Sequence, residues 1–264
     1  AVDEAIKTQK QFDKRIYTLG PLIHNGDVVK YLEENNIYAI DLNNIDNLCK
    51  GDVILIRSHG VSSDIYDKAN SNNLNIIDTT CPFVKKIHNI VKEFYEKGYK
   101  IIIIGDKNHP EIIGINGWCE NSALIVKSID DVNSLNLDNN SKYCLVAQTT
   151  LNLELYNEIV NILSKKLDNI TFKNTICSAT KTRQQAAKEL SVDVDCMIVI
   201  GGKHSSNTQK LVNICKEQVP TFAIETKEDL DIDKLNKFNL IGVTAGASTP
   251  DWIIEDVISF IESL

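Results

Sequence analysis

Runs of four or five consecutive aliphatic residues punctuate this chain, and between them apolar residues recur at every third or fourth position. The runs include Val53-Ile54-Leu55-Ile56, Ile101-Ile102-Ile103-Ile104 and Met197-Ile198-Val199-Ile200. Unbroken runs read as strands buried on both faces, and the spaced pattern reads as amphipathic helices. Strands are predicted at 15–19, 53–57, 74–78, 100–104, 143–147, 196–200 and 239–244. Helices are predicted at 1–13, 27–35, 82–97, 151–167, 178–190, 206–218 and 250–263, with Pro82 and Pro250 in first turns that accept proline. This alternation predicts an α/β fold with small parallel sheets. No linker is rich in Pro, Gly or Ser, so the units are expected to pack tightly.

A repeat organises these elements. Cys81 lies 24 residues before Gly105, and Cys177 lies 24 before Gly201, each glycine closing an aliphatic run. The offset of 96 also relates His109 to Ser205 and Glu111 to Asn207. An earlier copy reads Ile16-Tyr17-Thr18-Leu19-Gly20, with His24 four residues after the glycine, as His109 follows Gly105. Such self-similarity predicts pseudo-symmetric units, here 1–80, 81–174 and 175–264, presenting strand ends to one shared cavity. The same spacing counted back from Gly20 puts a third cysteine five residues before Ala1. The chain opens in helical rhythm, Ala1-Val2-Asp3-Glu4-Ala5-Ile6, without a capping residue. An upstream strand and turn carrying that cysteine are therefore expected.

The net charge of −8 argues against a nucleic acid or an anionic membrane as partner. No apolar run reaches the roughly 20 residues that span a bilayer. Seven cysteines, an odd number without small-domain spacing, read as reduced thiols of a cytoplasmic protein.

Cys81 precedes Pro82 and Cys177 precedes Ser178, so each is expected between a strand and a helix N-terminus, where thiolate, the ligating form, is favoured. Cys49, Cys119, Cys144, Cys196 and Cys215 read instead as small buried hydrophobes. Three thiolates at one centre suit a metal or an iron–sulfur cluster. On a 4Fe–4S cluster they leave one iron open to substrate. Structural zinc favours closely spaced cysteine pairs, which are absent.

The remaining strand ends suit a diphosphate. His24, His59 and His109 can donate hydrogen bonds to an anion, and Ser205, Ser206, Asn207 and Ser248 supply neutral donors, two of them opening a helix. His88 and His204 read as ordinary core or surface residues. Glu111 is the carboxylate whose repeat counterpart is Asn207. In a closed cavity it could hold and deliver a proton; on a solvated loop it would merely cap the next helix. Thr149 could orient a substrate hydroxyl or relay a proton. Three functions fit these residues: a reductive iron–sulfur enzyme, a zinc-dependent hydrolase using Cys81, Cys177 and a histidine, and a non-enzymatic phosphometabolite-binding module.

Taken in order along the chain, eight motifs resemble the LytB family of 4-hydroxy-3-methylbut-2-enyl diphosphate reductases. They are Leu19-Gly20-Pro21-Leu22-Ile23-His24-Asn25, Ser58-His59-Gly60-Val61, Asp78-Thr79-Thr80-Cys81-Pro82, Asn108-His109-Pro110-Glu111, Gln148-Thr149-Thr150, Ile176-Cys177-Ser178-Ala179-Thr180, Ser205-Ser206-Asn207 and Thr244-Ala245-Gly246-Ala247-Ser248-Thr249-Pro250. The resemblance implies a trefoil of three α/β units around a 4Fe–4S cluster held by three cysteines, Cys81 and Cys177 among them. It implies that His24, His59, His109, Thr149, Ser205, Ser206, Asn207 and Ser248 bind a small allylic diphosphate. It makes Glu111 the proton donor, with Thr149 assisting, and a ferredoxin or flavodoxin the electron donor. The family's Gly-Phe-Cys segment, which supplies the first ligand, is not in this sequence.

Overall fold

The aliphatic runs become the inner strands of three small parallel sheets. The computed structural model describes residues 2–12, 14–20, 22, 26–203, 205–247 and 249–263. The first sheet has strands β1 (Ile16–Leu19), β2 (Ile37–Ile40), β3 (Val53–Ile56) and β4 (Asn75–Asp78) in the order β2-β1-β3-β4. The second repeats that order with β5 (Lys100–Ile104), β6 (Leu124–Val126), β7 (Tyr143–Ala147) and β8 (Ile170–Phe172), as β6-β5-β7-β8. The third repeats three of the four places with β9 (Cys196–Ile200), β10 (Thr221–Ile224) and β11 (Ile241–Ala245), as β10-β9-β11. The recurring order is the spatial form of the sequence repeat. The helices are α1 (Val2–Phe12), α2 (Gly26–Glu34), α3 (Ser63–Ser71), α4 (Pro82–Glu96), α5 (Pro110–Gly117), α6 (Ile129–Ser134), α7 (Leu153–Lys166), α8 (Ser178–Ser191), α9 (Ser206–Lys216), α10 (Ile232–Leu235) and α11 (Asp251–Glu262).

Two compact units result. Asp3–Leu22 and Asn35–Cys177 form one, holding the first and second sheets; Ile23–Glu34 and Ser178–Leu264 form the other, holding the third. In the second sheet the alternation of side chains separates two cores. Ile101, Ile103, Cys144 and Val146 pack with Ile87 and Val91 of α4 and with Ile112 and Ile115 of α5. Ile102, Ile104, Leu145 and Ala147 face Tyr156, Ile159 and Leu163 of α7. Each buried isoleucine contributes about 1.5–3 kcal/mol, so these cores hold the loops at the strand ends in place. The third sheet is covered by α8 and α9, where Ala187, Leu211, Val212 and Cys215 meet Met197 and Val199.

All seven predicted strands form, and four more accompany them. The additional strands β2, β6, β8 and β10 are short sheet edges with half-exposed residues, so their apolar pattern is diluted. Cys119, Cys144, Cys196 and Cys215 are buried as expected, and burial raises the thiol pKa of each, to about 12 for Cys144 and about 11 for Cys196. Cys49 departs from that expectation: it is exposed, following the 3-10 turn Leu42–Asn47 rather than entering a core. Among the described residues no helix is long and apolar enough to cross a membrane.

Candidate active site

In the first compact unit, five hydrogen bonds and one ring contact link the stretches that carry six of the residues singled out from the sequence. Cys81 is the N-cap of α4, with Pro82 at its first turn, and its side chain makes no capping hydrogen bond. Its amide donates to the Ser58 carbonyl at 3.0 Å. The adjoining His59 lies edge-on to His109, with ring centroids 5.3 Å apart and an interplanar angle of 89°. The His109 Nδ1 accepts the Glu111 N–H at 3.1 Å, capping α5. Glu111 in turn accepts both the backbone N–H and the hydroxyl of Thr149, each at 2.7 Å. The Thr149 carbonyl accepts the Cys177 N–H at 2.8 Å, which closes the run from thiol to thiol.

This geometry fixes chemistry as well as position. Because Nδ1 of His109 accepts, a neutral ring carries its proton on Nε2 and presents it as a donor. Glu111 is only 2 % exposed, which rules out the solvated-loop reading. A carboxyl so placed can reverse its bond to the Thr149 hydroxyl, donating a proton where the carboxylate accepts one. The Cys177 loop is pinned by Thr175, whose hydroxyl donates to the Ala147 carbonyl at 2.6 Å and accepts its N–H at 2.8 Å. Cys177 is 8 % exposed and immediately precedes α8. Neither thiol is in a disulfide. Among the described residues no three His, Cys, Asp or Glu side chains are placed to hold a metal ion together.

The second unit carries the other part of the predicted set. Ser205 is the N-cap of α9, its Oγ accepting the Thr208 N–H, and Ser206 opens the helix. Asn207 is 6 % exposed, and among the described residues neither polar atom of its amide has a partner. A buried amide left unsatisfied costs about 1–3 kcal/mol, which makes this side chain a candidate to receive a bound polar group. With the backbone amides of the first turn it makes an anion-binding end. His24 and Ser248, assigned to the substrate by resemblance, and His204 lie outside the described residues.

Two residues escaped the sequence reading. Gln148 is buried beside Gly105; its Oε1 accepts the Asp106 N–H, while among the described residues its Nε2 has no partner. His88 is a core residue, 1 % exposed and stacked on Trp118 with centroids 5.2 Å apart, but among the described residues its Nε2 lacks a partner. Its Cε1 would lie 2.4 Å from a Cβ at Gly60, the neighbour of His59, and φ of +70° there also favours glycine. The spacing of Val84, Ile87, His88 and Val91 along one apolar stripe of α4 was the available signal.

Burial lowers the His88 pKa from 6.5 to about 4, the nearby Asp78 opposing and Lys85 assisting. The unfolded chain therefore takes up a proton below about pH 6.5 that the folded one refuses until about pH 4. Stability attributable to His88 should fall as pH drops through that window, by of order 2 kcal/mol at pH 5. Denaturant unfolding at pH 7 and pH 5 should show this loss in the natural chain and not in His88→Gln. Equal losses in both would remove His88 as the cause.

Known proteins match this chain over nearly its whole length. The model of the family described as LytB protein matches residues 1–262. A 4-hydroxy-3-methylbut-2-enyl diphosphate reductase of Clostridioides difficile (strain 630) is 60 % identical over 252 residues, covering 96 % of this chain and 90 % of that protein. The protein of the same name from Clostridium perfringens (strain 13 / Type A) is 52 % identical over 267 residues, covering 100 % and 93 %. Among solved structures, the E-1-hydroxy-2-methyl-but-2-enyl-4-diphosphate reductase from Plasmodium falciparum superposes with a TM-score of 0.88 at 35 % identity, covering 100 % of this chain and 82 % of that one. A structure described as (E)-4-hydroxy-3-methyl-but-2-enyl diphosphate reductase, the terminal enzyme of the non-mevalonate pathway, gives 0.76 at 37 % identity, covering 100 % and 93 %.

Proposed function

We infer the function from kinship and site together: this chain belongs to the LytB protein family, and it is a 4-hydroxy-3-methylbut-2-enyl diphosphate reductase. It converts that allylic diphosphate to isopentenyl and dimethylallyl diphosphate, taking up two electrons and two protons and releasing water. The observation that carries this reading is Thr149, which holds the Glu111 carboxyl by its N–H and hydroxyl and a candidate ligand, Cys177, by its carbonyl. Acid and thiol are thereby set by one residue.

Cys81 and Cys177 fit a 4Fe–4S cluster: both are outside disulfides, both precede helices, and Cys81 has no side-chain capping bond to give up. When bound there, the cluster supplies electrons one at a time and an open iron position as Lewis acid.

The chain's own residues do the rest. His59 and His109 of the first unit offer donors for the diphosphate, and the family resemblance assigns Ser205, Ser206, Asn207, His24 and Ser248 to it as well. With Nδ1 of His109 accepting from Glu111 N–H, Nε2 of the neutral ring carries the proton and is the nitrogen that can donate to an anion. Glu111 gives its proton to the departing hydroxyl through Thr149, so that oxygen leaves as water rather than hydroxide. Burial of Glu111, Gln148 and Thr149, each at most 7 % exposed, keeps bulk water from that proton. Electrons come from a reduced ferredoxin or flavodoxin in the cytoplasm.

Iron and sulfide analysis of the full-length protein purified without oxygen tests the cofactor. About four of each per chain with broad visible absorbance is expected. One zinc with no sulfide, or a colourless protein after anaerobic reconstitution, would overturn it.

A further inference from the structure

Arg57 follows β3 directly and is 8 % exposed, yet among the described residues its guanidinium has no carboxylate partner and its Nε no hydrogen bond. It is held by shape. Its Nη1 lies 2.8 Å from where a Cβ on Gly20 would be, and Gly20, with φ of +77°, leaves that room at the end of β1. The Arg57 carbonyl accepts the Gly60 N–H at 2.9 Å, closing a turn. The next carbonyl, of Ser58, accepts the Cys81 amide. Arg57 therefore belongs to the turn that positions a candidate cluster ligand, and burial already disfavours its charged form.

A buried unpaired cation costs several kcal/mol, and such a group persists where an anion compensates it. The substrate's diphosphate is present for only part of each turnover. A cluster held by three thiolates is permanent and bears net negative charge, which grows by one on reduction. We propose that Arg57 is the fixed counter-charge of the thiolate-bound cluster, favouring its one-electron reduced form. The inference rests on the cluster assignment above. The role assigned to Arg57 is electrostatic, not catalytic.

The test is an anaerobic potentiometric titration of cluster-loaded wild type, Arg57→Met and Arg57→Lys, read by electron paramagnetic resonance. Removing the charge should lower the reduced-to-oxidised ratio at fixed potential about tenfold, equivalent to about 59 mV for a one-electron couple. Arg57→Lys, which keeps the charge, should stay near wild type. A loaded Arg57→Met with an unchanged potential overturns the proposal. If Arg57→Met does not hold iron, Arg57→Lys decides: loading and a wild-type potential support charge compensation, and failure to load shows that shape alone matters. A wild type that never loads iron would instead refute the cluster reading itself.

Discussion

Glu111→Gln is expected to lower turnover of the allylic diphosphate by about 10²–10⁴-fold, the range of a lost general acid. The substitution is nearly isosteric. A glutamine carbonyl can still accept the Thr149 N–H, and its amide can donate to the Thr149 hydroxyl, so both 2.7 Å contacts have successors. What disappears is the transferable proton. Iron content, visible spectrum and substrate affinity should therefore match wild type while turnover collapses. A variant that turns over within a few-fold of wild type would remove Glu111 from the proton's path. One that loses iron together with activity would make Glu111 a support for the Cys177 loop instead.

The second large effect concerns packing. A Cβ on Gly117, the last residue of α5, would lie 2.0 Å from the Ser62 Cβ and 2.8 Å from the Ser62 Cα. Backbone cannot yield as a long side chain can, so Gly117→Ala should destabilise by about 3 kcal/mol or more. For a chain of this size that lowers Tm by roughly 6–12 °C. The contact is stitched on both sides: Ser63 Oγ donates to the Gly117 carbonyl, and Trp118 Nε1 donates to the Val61 carbonyl at 3.0 Å. Displacing this segment moves the turn that carries His59, so diphosphate affinity should fall with stability. Ser62→Gly in the same chain removes the opposing Cβ and should recover part of the loss. A Gly117→Ala melting with wild type would show that the segment shifts at little cost.

The strand ends were legible because every aliphatic run closes on a glycine or a polar loop, and the repeat made Cys81 and Cys177 correspond before any coordinates did. Helix α5 was not legible. Glu111, Ile112, Gly114, Ile115 and Gly117 are buried around it, so it lacks the polar face that betrays a surface helix. The tie from Thr149 to Cys177 is a main-chain bond and leaves no trace in residue type. Arg57 looks in sequence like any charge at a strand end; only its burial without a carboxylate distinguishes it. Glu111 could be read as a site residue or a cap, and it is at once a buried acid and a residue of the first turn of α5.

The most direct test of the account is conversion of 4-hydroxy-3-methylbut-2-enyl diphosphate by the anaerobically prepared, cluster-loaded full-length protein with a reduced viologen as electron source. The account predicts isopentenyl and dimethylallyl diphosphate, together equal to the substrate consumed, at two electrons per molecule. Protein that carries its four irons, binds the diphosphate and forms neither product would contradict it.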